Sequence, residues 1–502
     1  MQFLSPARRP FEGCRSVALV CATPGPDLRD EEAAVLARLP EQLLAEAADL
    51  QRELGAPVHI AEGVQAGPAW YIGPACLNPC FQALGQRPAR QPQHRLDRGE
   101  ARLFTDAPDV AGLLQTFAFL RSLARSPGGT LPTTDVRTLD EAVRRVAVEV
   151  SDSVPRLRER FPGWAEACRF HRLAVRGSTN PIAALQRWLT PLGDFHTWVR
   201  PARTSLVLPY GARVVRGQVM LTHVHPRTRG YAAGARPGWF LRGLDVRTAW
   251  NTTPGAPHAR PQLVARRLLS GTAGEEREWE ARAPGGATAR WYEAPTPPTG
   301  PPASWTRLSD GTGYLWVGAW LPDLGVDAIV DDAFEALASA PGLIVDLRGN
   351  AGGRIAMAEA FRSRFLRGSR TVGFIQRTLP GGRLGPRQLL TAEPAAAGRW
   401  LKPVRFLTDP LTWSAAEDAL LGLQGLPHVQ IVGQPSGGGS GRVRRMRLLP
   451  GWRLTVSTAL TFDARGRCIE GHGIPVDLPV PVDAERPPLG DPTLDRALAA
   501  GW

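Results

Sequence analysis

Two stretches of this 502-residue chain combine residue types and spacings that could do chemistry. The first, Gly342-Leu-Ile-Val-Asp-Leu-Arg-Gly-Asn-Ala-Gly-Gly353, reads as a buried apolar strand that ends in Asp-Leu-Arg and turns through glycines into a helix. Such a turn lets backbone N–H groups converge on an anionic oxygen, as an oxyanion hole or a phosphate cradle requires. A purely structural turn with Asp346 paired to Arg348 would leave the same trace. The second stretch is a strand over residues 404–408, the turn Asp409-Pro-Leu-Thr-Trp-Ser414, and a helix that opens with Ala415-Ala-Glu417. A serine at a strand-to-helix elbow exposes its hydroxyl at the positive end of the helix, where a nucleophile is helped. Read as an ordinary N-cap, Ser414 would instead share a capping box with Glu417.

The elements that must position these stretches follow from the hydrophobic periodicity. Residues 1–130 read as an N-terminal α/β domain, with strands at 16–21, 58–60 and 69–72 and helices at 30–54 and 110–123. Residues 135–204 read as a helical segment with helices at 136–160, 164–173 and 181–189, closing on Leu192-Gly-Asp-Phe-His-Thr197. Residues 205–294 form a β-rich module of short strands with one helix at 260–269, and the proline-rich run to Pro302 is a stiff linker. From 303 to 485 strands alternate with helices in βαβ fashion, with a β-rich run at 446–462, and residues 486–502 are left as a C-terminal tail. The helix after Ser414 is expected over 415–423.

The composition is that of a globular chain, and the net charge of +13 tempts toward nucleic acid. Lys402, however, is the only lysine among 60 basic residues, and the arginines are scattered among 53 Gly and 47 Pro. Arg442, Arg444, Arg445 and Arg447 form the only tight basic cluster, so no nucleic-acid partner is expected. Six cysteines are too few for a disulfide framework and lack zinc-ligand spacing, so neither metal nor cofactor is expected. No apolar run approaches the ~18 residues of a membrane span, and no apolar stretch of signal-peptide length follows Arg8 and Arg9. A cytoplasmic location is the expectation, and a homo-oligomer is left open.

The glycine turn and the serine elbow, in this order and at this separation, resemble the tail-specific, or C-terminal processing, serine protease family. The resemblance extends over about residues 136–482 and includes Tyr314, Ile431-Val-Gly-Gln434 and Glu470-Gly-His-Gly-Ile474. It implies a crotonase/ClpP-like ββα-type protease core with a helical cap segment. The β-rich module is similar to the family's PDZ domain, since Ala233-Gly-Ala-Arg-Pro-Gly238 stands at its characteristic turn, with Trp239 in place of an Asp.

One branch of that family uses a Ser-Lys dyad, with the lysine about 25 residues after the serine. Gly437-Gly-Gly439-Ser440 fills that place here, and Lys402 falls at the far end of the strand that leads to Ser414. The chain is closer to the tricorn-core-like branch, whose base is a histidine in a Leu-x-Asp-x-His-Thr sequence. The resemblance therefore implies Ser414 as nucleophile, His196 as a base titrating near neutrality, and Glu470 as its orienting carboxylate. Ala415 with Gly352 or Gly353 would form the oxyanion hole, and Asp194 and Glu417 are secondary candidates. Phe195 occupies the position of a serine that links histidine and glutamate in that branch, and His472 is a rival base.

The resulting expectation is a serine peptidase that needs no cofactor and cleaves peptides or proteins, bound by their C-termini, through an acyl-enzyme on Ser414. The alternatives are a non-catalytic ligand- or peptide-binding protein on the same core and a hydratase or thioesterase on a crotonase-like sheet. No distinct acyl-CoA site supports the last.

Overall fold

The computed structural model describes five strands within the first 137 residues and the chain from Thr138 onward, apart from residues 202–205, 298–299, 482, 484–485, 487–489 and 500–502. Two compact units result. One comprises Met1–Trp164, Gln376–Pro386 and Met446–Pro450, and the other Ala165–Ile375, Arg387–Arg445 and Gly451–Trp502.

In the first unit, Val17–Cys21 pairs in parallel with Val58–Ile60 on one side and Ala69–Ile72 on the other. Arg102–Asp106 extends the sheet in parallel and Gln93–Asp97 closes it antiparallel; the sequence pattern had not marked these last two strands. Their polar, charged residues hide the alternation that identifies a half-buried strand. The helices expected at 30–54 and 110–123 lie outside the described residues. The Leu139–Ser153 helix starts at Thr138, whose side chain accepts the Glu141 N–H while the Glu141 carboxylate accepts the Thr138 N–H. This reciprocal cap satisfies two of the N–H groups a helix start leaves open.

The second unit carries the elements of interest. Its central sheet has six strands in the order Ala303–Arg307, Gly313–Val317, Leu343–Asp346, Val404–Thr408, Val429–Gly433, Leu478–Pro479, with only the first pair antiparallel. Alternate residues go to opposite faces, as the period of two in a strand dictates. Leu343, Val345, Val404, Phe406 and Ile431 enter the main core beneath the Val326–Ala336 and Ile355–Ser363 helices, while Ile344, Leu407 and Val432 join a second cluster with Ala497. Both faces are covered, which is why these strands read as continuous apolar runs. The C-terminal segment is no loose tail: Pro492–Ala499 is a helix over the second face, and Asp491 takes the Arg348 guanidinium at 2.6 and 2.7 Å.

Residues 206–293 of the same unit hold a five-stranded antiparallel sheet, ordered Thr288–Glu293, Arg277–Arg282, Phe240–Leu241, Gln218–Val224, Tyr210–Val215. Val264 and Ala265 of the Arg260–Leu268 helix share its apolar cluster with Leu221, Trp279 and Trp291. A second helix, which the β-rich pattern of this module does not announce, begins at Val246 and is capped by Asp245, whose side chain accepts the Thr248 N–H. Cap chemistry outweighed β propensity there.

Candidate active site

Ser414 follows the Val404–Thr408 strand and precedes a helix that runs only over Ala415–Leu420, shorter than expected because Gly422 turns the chain with φ 81°. Six residues make a weak dipole, so what orients the serine is its own backbone. Ser414 has φ 60° and ψ −127°, one of three described non-glycine residues with positive φ. A conformation this unfavourable for an L-residue persists only where its surroundings impose it, and such strain concentrates at functional sites.

Three groups impose it. The Ser414 N–H donates to Glu417 Oε2 at 3.0 Å, and the Glu417 N–H returns to the Ser414 carbonyl at 2.8 Å. Asn350, fully buried, accepts the Trp413 N–H with its carbonyl, donates from its amide to the Val317 carbonyl, and accepts the Gly352 N–H at 2.8 Å. Asn350 thereby ties the glycine turn to the serine elbow, a role the sequence reading had left unassigned. Gly352 then lies against the serine itself: a Cβ there would stand 2.7 Å from Ser414 Cβ and 2.8 Å from the Ala415 nitrogen. The expected Asp346–Arg348 pair also forms, with Tyr314 donating to Asp346 at 2.7 Å. The structural and chemical readings of that motif therefore coexist. The Gly352 N–H is engaged by the Asn350 side chain, and Gly353 next to it is exposed.

The Gly-rich run after the Val429–Gly433 strand is held by two buried carboxylates. Glu417 accepts the Ser436 hydroxyl at 2.6 Å, the Gly438 N–H at 2.8 Å and the Gly439 N–H at 2.9 Å, besides the Ser414 N–H. Glu470 Oε2 accepts the next two N–H groups, Ser440 at 3.2 Å and Gly441 at 3.1 Å. Burial pushes the Glu417 carboxyl up to about 7, while its four donors pull the other way by favouring the ionised form. Glu417 is thus far more than a helix cap. The sequence showed the cap because it is local; the other three donors arrive from 19 to 22 residues away.

His196 is buried and sits beside the elbow, its ring centroid 5.1 Å from that of Trp413. Asp194, with no exposure, fixes the backbone there: it accepts the His196 N–H at 2.9 Å, the Thr197 hydroxyl at 2.8 Å and the Ser457 hydroxyl at 2.8 Å. Trp452–Ser457 pairs antiparallel with Trp198–Pro201, directly after the histidine. Phe195 packs on Trp413, ring centroids 3.9 Å apart, and against Gly439 and Gly255. Contrary to the expectation of a near-neutral base, His196 is lowered to about 4, chiefly by burial and further by Arg445 and Arg200, with Asp194 opposing. Its Nδ1 is buried with no hydrogen-bond partner among the described residues, so Glu470 does not contact it directly. An imidazole in this setting is neutral at physiological pH and can accept a proton. His472, the rival, is exposed in a turn with Nδ1 3.1 Å from the Glu470 carbonyl. Lys402 donates to the carbonyls of Ala338 and Ala340, two residues before the Val404–Thr408 strand begins and hence at the end opposite the elbow.

Residues 311–480 match the model of Peptidase family S41, a span that covers the glycine turn, the elbow and Glu470. No curated protein matches the chain. Among solved structures, mature CPAF aligns with a TM-score of 0.53 at 15% identity, covering 69% of this chain and 93% of that one. Mature CPAF complexed with lactacystin gives the same score and identity over 69% and 94%. The photosystem II D1 C-terminal processing protease aligns with a TM-score of 0.46 at 19% identity over 70% and 94%. The CPAF likeness shows a shared fold. Among the described residues no helix is long and apolar enough to cross a membrane.

Proposed function

We propose that the protein is a serine peptidase that cleaves peptide or protein substrates through an acyl-enzyme on Ser414. The observation that carries this reading is the strained Ser414 elbow seated on Gly352, inside the span that matches a peptidase family. His196 Nε2 takes the proton as Ser414 Oγ attacks the scissile carbonyl carbon, and the carbonyl oxygen becomes an oxyanion held by the Ala415 and Gly353 N–H groups. The intermediate collapses, the C–N bond breaks, and the leaving amine takes the proton from His196. Water then repeats the sequence on the acyl-enzyme and releases the acid. Glu470 acts behind His196 and Glu417 behind Ser414. The five-stranded module is PDZ-like and presents substrate C-termini to this site by adding a strand to its sheet edge.

A fluorophosphonate probe tests the reading. The native chain should be labelled at Ser414, mapped by mass spectrometry, and a non-catalytic binding protein on the same core would stay unlabelled.

Gly352 supplies a second test. With φ 88°, an alanine there is strained, and its methyl would enter the space between Ser414 Cβ and the Ala415 nitrogen. Gly352→Ala is expected to lower kcat on a peptide substrate by about 10²-fold or more, the size of effect seen when an oxyanion donor is lost. Unchanged kcat in that variant would remove Gly352 and Ala415 from the site.

A further inference from the structure

We propose that five arginines beside His196, namely Arg200, Arg266, Arg267, Arg445 and Arg453, form a binding surface for acidic side chains of the peptide substrate. The proposal rests on the peptidase reading and names the class of sequence that site takes.

The five come from three parts of the chain that meet near the base. Arg200 lies four residues after His196 on the Trp198–Pro201 strand, at most about 14 Å along the chain. Arg453 stands directly opposite it on the Trp452–Ser457 strand. Arg445 belongs to the Val443–Arg447 strand, the next one in that sheet, and its charge acts on His196. Arg266 and Arg267 lie in the last turn of the Arg260–Leu268 helix. That helix and Phe195 close on the same glycine: a Cβ on Gly255 would lie 2.6 Å from Leu263 Cδ1 and 3.2 Å from Phe195 Cδ2. Arg267 donates to the Thr252 carbonyl just before it, and the charge of Arg266 acts on Asp409 in the elbow turn.

The fold itself does not account for this gathering. All five residues are exposed, and among the described residues none of them forms an ion pair with a carboxylate. A helix C-terminus favours cations, which explains Arg266 and Arg267 but not the other three. Like charges directly opposite one another on paired strands are destabilising, so Arg200 and Arg453 weaken the sheet unless an anion joins them. The surrounding protein, and then repulsion from Arg267 and Arg266, lower Arg200 to about 10, so it stays charged at physiological pH. An exposed side chain that is nonetheless desolvated lines a concave surface. The Arg200 guanidinium lies 4.4 Å from the Trp198 ring centroid, a contact that holds it in place without neutralising it. Guanidiniums left unpaired in a recess select carboxylates, which they grip with two parallel N–H donors. An extended peptide advances about 3.3 Å per residue, so the acids that reach this surface lie about two to four residues from the scissile bond. Its place beside the base, within a recess, favours a peptide over nucleic acid.

The test uses the full chain on fluorogenic peptides that carry Glu, Gln or Lys around one scissile bond and have an amidated C-terminus. The native enzyme should cleave the Glu peptide with kcat/KM about 10-fold above the Gln peptide, mainly through KM, since several exposed charge pairs of modest strength add up. Salt should narrow the gap. Arg200→Gln combined with Arg266→Gln should abolish the preference, and Arg200→Glu should shift it toward the Lys peptide, with kcat on the Gln peptide native in both. Thermal unfolding of Arg200→Gln should be no easier than that of the native chain, because the repulsion from Arg453 is relieved. Equal kcat/KM on the Glu and Gln peptides, or a preference that survives in the double variant, overturns the proposal. So does a loss in the variants that follows a free C-terminal carboxylate instead of the side chains, or inhibition by polyuridylate but not by polyglutamate. With Ser414 still labelled by the fluorophosphonate, each of these outcomes removes the acidic-substrate proposal alone. Absence of labelling in the native chain overturns the peptidase reading, and this proposal with it.

Discussion

Ser414→Ala and His196→Ala should each lower kcat on a cleavable peptide by about 10⁴–10⁶-fold, and the double variant should be scarcely slower than either single one. The nucleophile and the base act in one step. Without the hydroxyl there is nothing for the imidazole to deprotonate, and without the imidazole the hydroxyl keeps its proton, so the second deletion removes little that the first has left. Both side chains sit where replacement spares the fold. The Ser414 N–H and carbonyl hold the elbow through Glu417 without needing the hydroxyl oxygen, and the His196 backbone is fixed by Asp194 whatever the side chain. Thermal unfolding should therefore move by only a few degrees in Ser414→Ala. Steady-state kinetics on the three variants checks the expectation. Losses that multiply in the double variant would mean that the two residues act in separate steps, and full activity in either single variant would refute the mechanism.

Glu417→Gln is expected to be the most disruptive conservative substitution in the unit. Each carboxylate oxygen accepts two donors: Oε1 from Ser436 and Gly438, and Oε2 from Ser414 and Gly439. An amide offers one oxygen. Whichever way glutamine turns, its NH₂ group faces two hydrogens, and two buried donors lose their acceptor. At about 1–3 kcal/mol for each, the cost is about 2–6 kcal/mol, a large part of the stability of a typical domain. Activity should fall with it, because the Ser414 N–H is one of the four donors and the elbow's strained φ depends on that anchor. Urea unfolding and kcat measured on the same preparation give the test. A loss of stability below about 1 kcal/mol, the range expected of a helix cap alone, would show that the loop donors find other partners.

These two expectations divide sharply in how they could be foreseen. Ser414 is visible in the sequence because its signal is local: an apolar strand, a turn and a helix start within some fifteen residues place a hydroxyl at an elbow. The glycine turn is visible for the same reason, its φ values of 73°, 88° and 143° at Gly349, Gly352 and Gly353 being ones that only glycine adopts cheaply. The strands of the central sheet declare themselves because both faces are buried, so an unbroken apolar run is required. Glu417 reads as a cap in the sequence, since a capping box links residues only three apart.

What the tertiary structure alone decided are the contacts between residues far apart in the chain. Asn350 joins the turn to the elbow across 63 residues; Glu417 and Glu470 divide four successive N–H groups of the Gly-rich loop between them; and His196 comes to rest beside Trp413. No local pattern encodes such pairings. A buried carboxylate and the amides it accepts carry no periodicity that links them, and glycines that bring backbone N–H groups to a charge look in sequence like any loop. The titration of His196 belongs here too, since the burial that lowers it is a property of the packed surroundings and not of the residue. The sequence determined which groups could react; the packing of distant segments determined which of them meet, and in what state of charge.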